Sequence, residues 1–312
     1  CRAAMLFGGP RTGWATVVEP AGDGTQWLKA LIRCGNGESG ETTAVPSRFI
    51  EELLAQGPVT PPPSVTLDLD LACLIYTSGS TGDPKGVMSD HSNVLFATRS
   101  IKRYLELRET DIILSASPLA FDYGLYQLLL AFAAGATLIL EKSFLYPADV
   151  VKRLAAERVT CFPGVPTMFA LLLEQDLEAY DLSNLRILTN TAAALPVSHI
   201  EQIRQKLPQA RLYSMYGLTE TKRTLYLPPE ELDRRPGSVG LPIPGTEAWV
   251  EDGNGQRLGA NQVGELVVRG RHVMRGYWED EAATAERFRP GPIPGERLCY
   301  TGDLFRTDDE GY

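Results

Sequence analysis

Between Leu71 and Tyr216 two hydrophobic rhythms alternate along the chain. Short apolar runs, 71-LACLIY-76, 111-DIILSAS-117, 136-ATLIL-140, 185-LRILTN-190 and 211-RLYSMY-216, read as strands. Between them lie stretches in which apolar positions recur every three or four residues. In the first, Asp90 is placed to cap a helix whose inner face is Val94, Ala97, Ile101 and Tyr104. Further helices are expected over about 123–134, 148–158, 165–175 and 196–207, the last opened by Pro196. Strands alternating with helices predict an α/β fold, a mostly parallel sheet with helices packed on its faces.

After Pro236 the rhythm changes. Candidate strands 246-TEAWVE-251 and 264-GELVVRG-270 flank the turn 252-DGNGQ-256, predicting a smaller β-rich subdomain. The expected organisation is therefore a partial N-terminal region with a proline-rich connector over 1–64, a core over 65–236, and the β-rich part over 237–312. The connector contains 58-PVTPPPS-64. The formal G-x-G-x-x-G at 35-GNGESG-40 reads as a flexible loop, because Pro46 limits any helix starting at Gly40. The apolar stretch 125-LYQLLLAFAAGATLIL-140 is short for a bilayer span and reads as a buried helix followed by a strand.

Composition narrows the partners. Of 312 residues 44% are hydrophobic and 22% charged, ordinary for a soluble globular protein. A net charge of −9 argues against nucleic acid or an anionic membrane as the main partner, since both select basic surfaces. Cys1, Cys34, Cys73, Cys161 and Cys299 are scattered without a C-x-x-C, which fits a reducing compartment and a cytoplasmic location. His91, His199 and His272 have no ligand spacing and read as surface or helix positions. The segment 229-PEELDRR-235 reads as a solvated loop of mixed charge.

One stretch asks for chemistry. In 77-TSGSTGDPKG-86 glycines let backbone N–H groups turn toward one point, hydroxyls add donors, and Lys85 adds a point charge suited to phosphate. It follows a strand, a place where α/β sheets commonly bind ligands. It is not a Walker loop, because Pro84-Lys85-Gly86 disfavours the helix that a Walker lysine enters. A P-loop phosphotransferase is therefore not supported. No G-x-S-x-G is present, so neither is a hydrolase elbow.

This segment resembles the signature loop of the adenylate-forming superfamily, which comprises acyl-CoA synthetases, peptide-synthetase adenylation domains and luciferases. Three more segments match in the expected order: 216-YGLTE-220, 264-GELVVRGRHVMRGYW-278 and 300-YTGDL-304. The likeness runs over roughly residues 70–312, and four ordered motifs are far more specific than one. It implies the large N-terminal domain of that family, with mostly parallel sheets flanked by helices. It also implies two half-reactions: a carboxylate attacks the α-phosphate of ATP, and a thiol of CoA or of a carrier-protein phosphopantetheine then takes the acyl group.

Carried over position by position, the resemblance places Thr77, Ser78, Gly79, Ser80, Thr81, Gly82 and Lys85 over the phosphates. Tyr216 and Gly217 fall beside adenine, with Ala192 and Ala193 in the small-residue adenine loop, where glycines are more usual. Thr219 becomes a phosphate contact, Glu220 the carboxylate associated with Mg2+, and Asp303 the acceptor for the ribose hydroxyls. Lys85, Thr219 and Glu220 are the implied catalytic set.

Phe121, Asp122 and Leu218 fall beside the small carboxylic-acid substrate. Amino-acid-activating members carry an aspartate after an aromatic residue, as in Phe121-Asp122, where it pairs with the substrate ammonium. Asp122 is equally placed to cap the helix beginning near Tyr123. Both readings stand at this point, as do acyl and amino acids as substrates and CoA and an acyl carrier protein as acceptors.

In the family a small C-terminal domain brings a lysine to the α-phosphate. This chain has no lysine after Lys222, so that domain is expected to be missing, and about a hundred residues ahead of Leu71 as well, judged from typical domain sizes. A fragment that binds nucleotide but adenylates poorly is the expectation. The alternative is a nucleotide-binding module of the same fold without catalysis.

Overall fold

The computed structural model describes residues 5–8, 30–33, 47–57, 60, 65–78 and 83–312. The glycine pattern at 35–40 and nearly all of the proline-rich connector lie outside them. The chain divides into two compact units, Cys1–Val65 and Thr66–Tyr312. In the first, β1 (Met5–Gly8), β2 (Ala30–Arg33) and β3 (Ser47–Phe49) form a parallel sheet, followed by helix α1 (Ile50–Gln56).

The second unit opens with β4 (Leu71–Ser78), β5 (Pro84–Asp90) and α2 (His91–Leu105), and continues with β6 (Ile112–Ser115), α3 (Asp122–Ala134), β7 (Thr137–Leu140) and α4 (Pro147–Ala156). Next come β8 (Cys161–Gly164), α5 (Pro166–Leu173), β9 (Ile187–Asn190), α6 (Val197–Lys206), β10 (Arg211–Tyr216), β11 (Leu225–Leu227) and β12 (Leu241–Pro242). Strands β7, β6, β8, β9 and β10 run parallel in that spatial order, and β11 and β12 extend the sheet antiparallel.

Alternation along these strands explains the helices on both faces. Leu114, Phe162, Leu188 and Leu212 enter one core with Val151, Leu154, Phe169 and Ile203 of α4, α5 and α6. Their neighbours Ile113, Cys161, Ile187 and Tyr213 point the other way, into a core with Ile101, Tyr104, Tyr126 and Leu130 of α2 and α3. A strand buried on both faces must be apolar at successive positions, which is why β6, β9 and β10 were legible; β8, only four residues long and containing Pro163, was not predicted. Asp90 caps α2 as expected. Its carboxylate accepts from the Asn93 N–H at 2.7 Å, and the Asn93 side chain accepts from the Asp90 N–H. The apolar stretch 125–140 forms the body of α3 and all of β7, turning at Gly135 in the left-handed region (φ 73°).

The first predicted strand does not join this sheet. β4 pairs antiparallel with β5, with Thr77 opposite Lys85 and Ser78 opposite Pro84, so the glycine- and hydroxyl-rich segment joins two strands of one hairpin. A connection this short can join only antiparallel strands, whereas a parallel partner needs a crossover. β15 (Gly276–Tyr277) completes that sheet against β5.

The β-rich segment supplies a four-stranded antiparallel sheet of β13 (Thr246–Glu251), β14 (Gly264–Gly270), β17 (Arg297–Phe305) and β16 (Phe288–Pro290), with α7 (Glu281–Arg287) before β16. Two sequence readings are corrected here. His272 is fully buried and stacks on Phe96 at 5.7 Å, not at the surface. In 229–235, Arg235 is largely buried, bonded to Glu231 and Asp308 and lying over Tyr312, while Leu232 enters the core. A flexible guanidinium can satisfy several carboxylates at once, so charge density in sequence did not mean solvation. Among the described residues no helix is long and apolar enough to cross a membrane.

Candidate active site

Strands β6, β9 and β10 end on one side of the parallel sheet, and the segments that leave them meet at a cleft of about 700 Å³. The carboxyl ends of parallel strands are where such sheets bind ligands, because helices cover the faces and leave that edge open. Thr191 and Ala192 follow β9, and Asp122 and Tyr123 open α3 after β6. Residues 217–220, 222 and 223 follow β10, and Thr77, Lys85, Tyr277, Arg287 and Gly302 also line the cleft.

The segment between β10 and β11 is polar yet buried. Glu220, Thr221, Lys222, Arg223 and Thr224 are each at most 7% exposed. Some of their polar groups are spent locally: Thr224 Oγ1 donates to Thr221 Oγ1 at 2.7 Å, and Lys222 Nζ donates to the Thr219 carbonyl at 2.7 Å. Burial lowers the Lys222 pKa, against the opposing pull of Asp122 and other anionic groups. Gly217 is required by close approach, since a Cβ there would lie 1.7 Å from the Lys222 carbonyl oxygen.

Glu220 Oε1 accepts from the Tyr277 hydroxyl at 2.6 Å. Burial, then the Glu220 carboxylate, raises the Tyr277 pKa, so the phenol stays protonated and donates. The second Glu220 oxygen is left for another donor or a hard cation, and a carboxylate oxygen fits Mg2+. Among the described residues no group of three or more His, Cys, Asp or Glu is placed to hold a metal.

β17 carries an irregularity at the motif 300–304. Val267 of β14 faces Tyr300, yet Glu265 faces Leu304, so extra residues bulge out of β17 between them. Gly302 takes a left-handed φ of 74° there, and its N–H donates to Glu265 at 2.8 Å. The bulge turns Asp303 toward β10, where Tyr216 donates its hydroxyl to Asp303 at 2.6 Å.

Of the sequence-predicted site residues, the cleft wall brings together Thr77, Lys85, Asp122, Ala192, Gly217, Leu218, Thr219 and Glu220. Thr77 and Lys85 are cross-strand neighbours, with Lys85 Nζ 5.4 Å from the centre of the Tyr277 ring. Tyr216 and Asp303 are bonded to one another just behind the wall, next to Gly217 and Gly302, which line it. Ala193 is not among the lining residues, and its carbonyl accepts from Asn190 at 3.0 Å. Phe121 is 61% exposed and is not among the lining residues. Ser78 ends β4, and Gly79, Ser80, Thr81 and Gly82 lie outside the described residues.

The capping reading of Asp122 is corrected. Phe121 is the N-cap of α3 and no side chain caps it, while Asp122 lies in the first turn with Oδ2 3.8 Å from Arg223 Nη1. A buried arginine outcompetes the backbone for that carboxylate because the interaction is charged on both sides. Sequence reasoning missed Arg223, Lys222, Tyr277 and Arg287. Tyr277 stood inside a matched motif. Nothing in a Lys-Arg pair following 216-YGLTE-220 announced that both would be buried.

A parallel core with helices on both faces and a cleft at the carboxyl ends of its strands give this fold the architecture of the adenylate-forming enzymes. The chain belongs to the AMP-binding enzyme family, which it matches over residues 16–278. It is 32% identical to a long-chain-fatty-acid–CoA ligase of Bacillus subtilis (strain 168) over 255 residues, 80% of this chain and 44% of the ligase. It is 35% identical to gramicidin S synthase 2 of Brevibacillus brevis over 247 residues, 78% of this chain and 6% of that synthase. The structure of ATP-bound MatB from Rhodopseudomonas palustris superposes with a TM-score of 0.80 at 25% identity, covering 97% of this chain and 61% of MatB. The chain thus spans less than half the length of these two curated relatives.

Proposed function

We propose that the protein is an ATP-dependent, AMP-forming ligase that activates a carboxylic acid and passes it to the thiol of CoA or of a carrier-protein phosphopantetheine. One observation carries the reading: Thr77, Lys85, Thr219, Glu220, Asp122 and Arg223 line a single cleft. The relatives' activities, on fatty acids and in peptide synthesis, support the same chemistry.

In this reading ATP lies with its phosphates between the 77–86 hairpin and residues 217–220, and Asp303 accepts from the ribose. Residues 65–236 form the nucleotide and acid core, and 237–312 contribute Tyr277 and Asp303. The acid's carboxylate oxygen forms a bond to the α-phosphorus, the bond from that phosphorus to the α,β-bridging oxygen breaks, and pyrophosphate leaves. A thiol sulfur then attacks the acyl carbon, its proton is lost, and AMP leaves with the former carboxylate oxygen. Bound Mg2+ would neutralise the triphosphate charge. The protein's own contribution is positioning and charge: Lys85 holds phosphate oxygens, and Tyr277 fixes Glu220 by donating to it.

The test is acid-dependent ATP–pyrophosphate exchange by the full-length gene product across a panel of acids. Exchange that Lys85→Ala abolishes supports the ligase. ATP binding with no exchange on any acid supports the non-catalytic nucleotide-binding module.

A further inference from the structure

Arg223 is a charged side chain with donors left over. It lines the cleft, yet its side chain is only 3% exposed. Its Nε is buried and has no hydrogen-bond partner among the described residues. The Asp122 carboxylate faces Nη1 from 3.8 Å, an ion pair beyond hydrogen-bond length. The guanidinium lies 4.4 Å from the centre of the Tyr123 ring and 5.9 Å from that of Tyr126. The Tyr126 hydroxyl is likewise buried without a partner among the described residues.

A guanidinium does not lose its proton in proteins, so burial cannot neutralise it. Burying it with donors unspent is costly unless something supplies acceptors. Asp122 balances its charge without satisfying its fork. Lys222 Nζ spends one of its donors on the Thr219 carbonyl. The cleft wall therefore offers a guanidinium with donors unspent among the described residues. A second carboxylate matches that fork in charge and in planar, two-oxygen geometry.

We propose that Arg223 anchors a second carboxylate on the acid substrate, which makes the substrate a short dicarboxylic acid. The assignment rests on the acid-activating reading above. Thr219 and Arg223 are four residues apart, so even extended chain would separate them by no more than about 14 Å. The segment is folded back, with Thr221 N–H donating to the Leu218 carbonyl at 3.1 Å, which brings the ends closer. The backbone positions that carry the phosphate contact and Arg223 are thus close, which favours a short spacer between the two carboxylates. Asp122 is a positioning residue for Arg223 in this arrangement.

The experiment compares succinate with butyrate, which differ by the second carboxylate, in pyrophosphate exchange by the full-length gene product. Calorimetric binding of the same two acids in the presence of Mg-ATP runs beside it and needs no variant. Succinate is expected to exceed butyrate at least tenfold in kcat/KM and in affinity. Arg223→Leu should bring that ratio to one or below, and Arg223→Lys, which keeps the charge but not the fork, should recover it only in part. Butyrate equal to or better than succinate overturns the second-carboxylate assignment and leaves the ligase standing. So does an Arg223→Leu protein that loses both acids equally. Exchange with neither acid nor any other, in a protein that binds ATP, overturns the ligase reading itself.

Discussion

The Tyr216 hydroxyl donates to the Asp303 carboxylate at 2.6 Å, joining the end of β10 to the bulge in β17. Burial and this hydrogen bond raise the Tyr216 pKa, so the phenol remains a donor and one carboxylate oxygen is committed to it. The other oxygen is left for a ribose hydroxyl. Asp303→Ala is therefore expected to weaken AMP binding by about 2 kcal/mol, roughly thirtyfold, the scale of hydrogen bonds to a charged group. Tyr216→Phe keeps that acceptor and loses only its orientation, so the expected cost is about 1 kcal/mol. Calorimetric titration of both variants with AMP checks the order. Equal losses would mean that the tyrosine, not the aspartate, meets the nucleotide.

Lys85 sits opposite Thr77 on the hairpin, and its ammonium is held near the Tyr277 ring in the cleft wall. A lysine that serves the outer phosphates should matter for ATP and pyrophosphate and little for AMP. Lys85→Ala is expected to weaken Mg-ATP at least about tenfold while AMP affinity stays within about twofold, as expected when one charge-assisted contact of about 1.5–3 kcal/mol is lost. Parallel titrations with the two nucleotides read the split. A matching loss for AMP would move Lys85 to the α-phosphate or to a structural role.

What the sequence made legible follows from what each signal depends on. Strands β6, β9 and β10 were readable because burial on both faces forces apolar runs, and local capping at Asp90 needs only neighbours three residues away; β8, four residues long and carrying Pro163, was not legible as a strand. The pairing of β4 was not readable, since an apolar run says nothing about its partner; the length of the connection after it held that information. Tyr216, Glu220 and Asp303 were legible through ordered motifs. Arg223 was not, because its meaning depends on Asp122, a residue far away in the chain, and on rings that bury it. His272 was misread for the same reason: its burial is set by packing from Phe96 and Thr246, not by its own neighbours.

Ala192 holds a left-handed backbone, φ 72°, in the wall of the cleft. An L-residue with a Cβ pays about 1–2 kcal/mol for that conformation. Glycine would remove the clash and add about 0.5–1 kcal/mol of chain entropy to be lost on folding. Ala192→Gly should therefore stabilise the protein by roughly 0.5–1 kcal/mol, the difference between those two effects. Urea unfolding measures it. A destabilised Ala192→Gly protein would show that the methyl group contributes packing that outweighs the strain.

His272 gives the fold a pH dependence whose sign can be worked out. Burial, and then the nearby Lys222 charge, push its pKa from 6.5 down to about 3. Its Nε2 is buried without a partner among the described residues, and Nδ1 lies 3.4 Å from Thr246 Oγ1. The folded state thus holds the neutral ring, whereas the unfolded chain takes up a proton once the pH falls below 6.5. Protonation then favours the unfolded state, so the stability contributed by the neutral ring is complete above 6.5 and is lost as the pH falls toward 3. The limiting slope is about 1.4 kcal/mol per pH unit. Between pH 7 and 5.5, above most carboxylate titration, this amounts to about 1 kcal/mol. His272→Leu has no proton to gain and should remove that part of the slope. Urea midpoints of both proteins across this window decide it, and parallel pH profiles would mean that the buried ring finds a proton acceptor on folding.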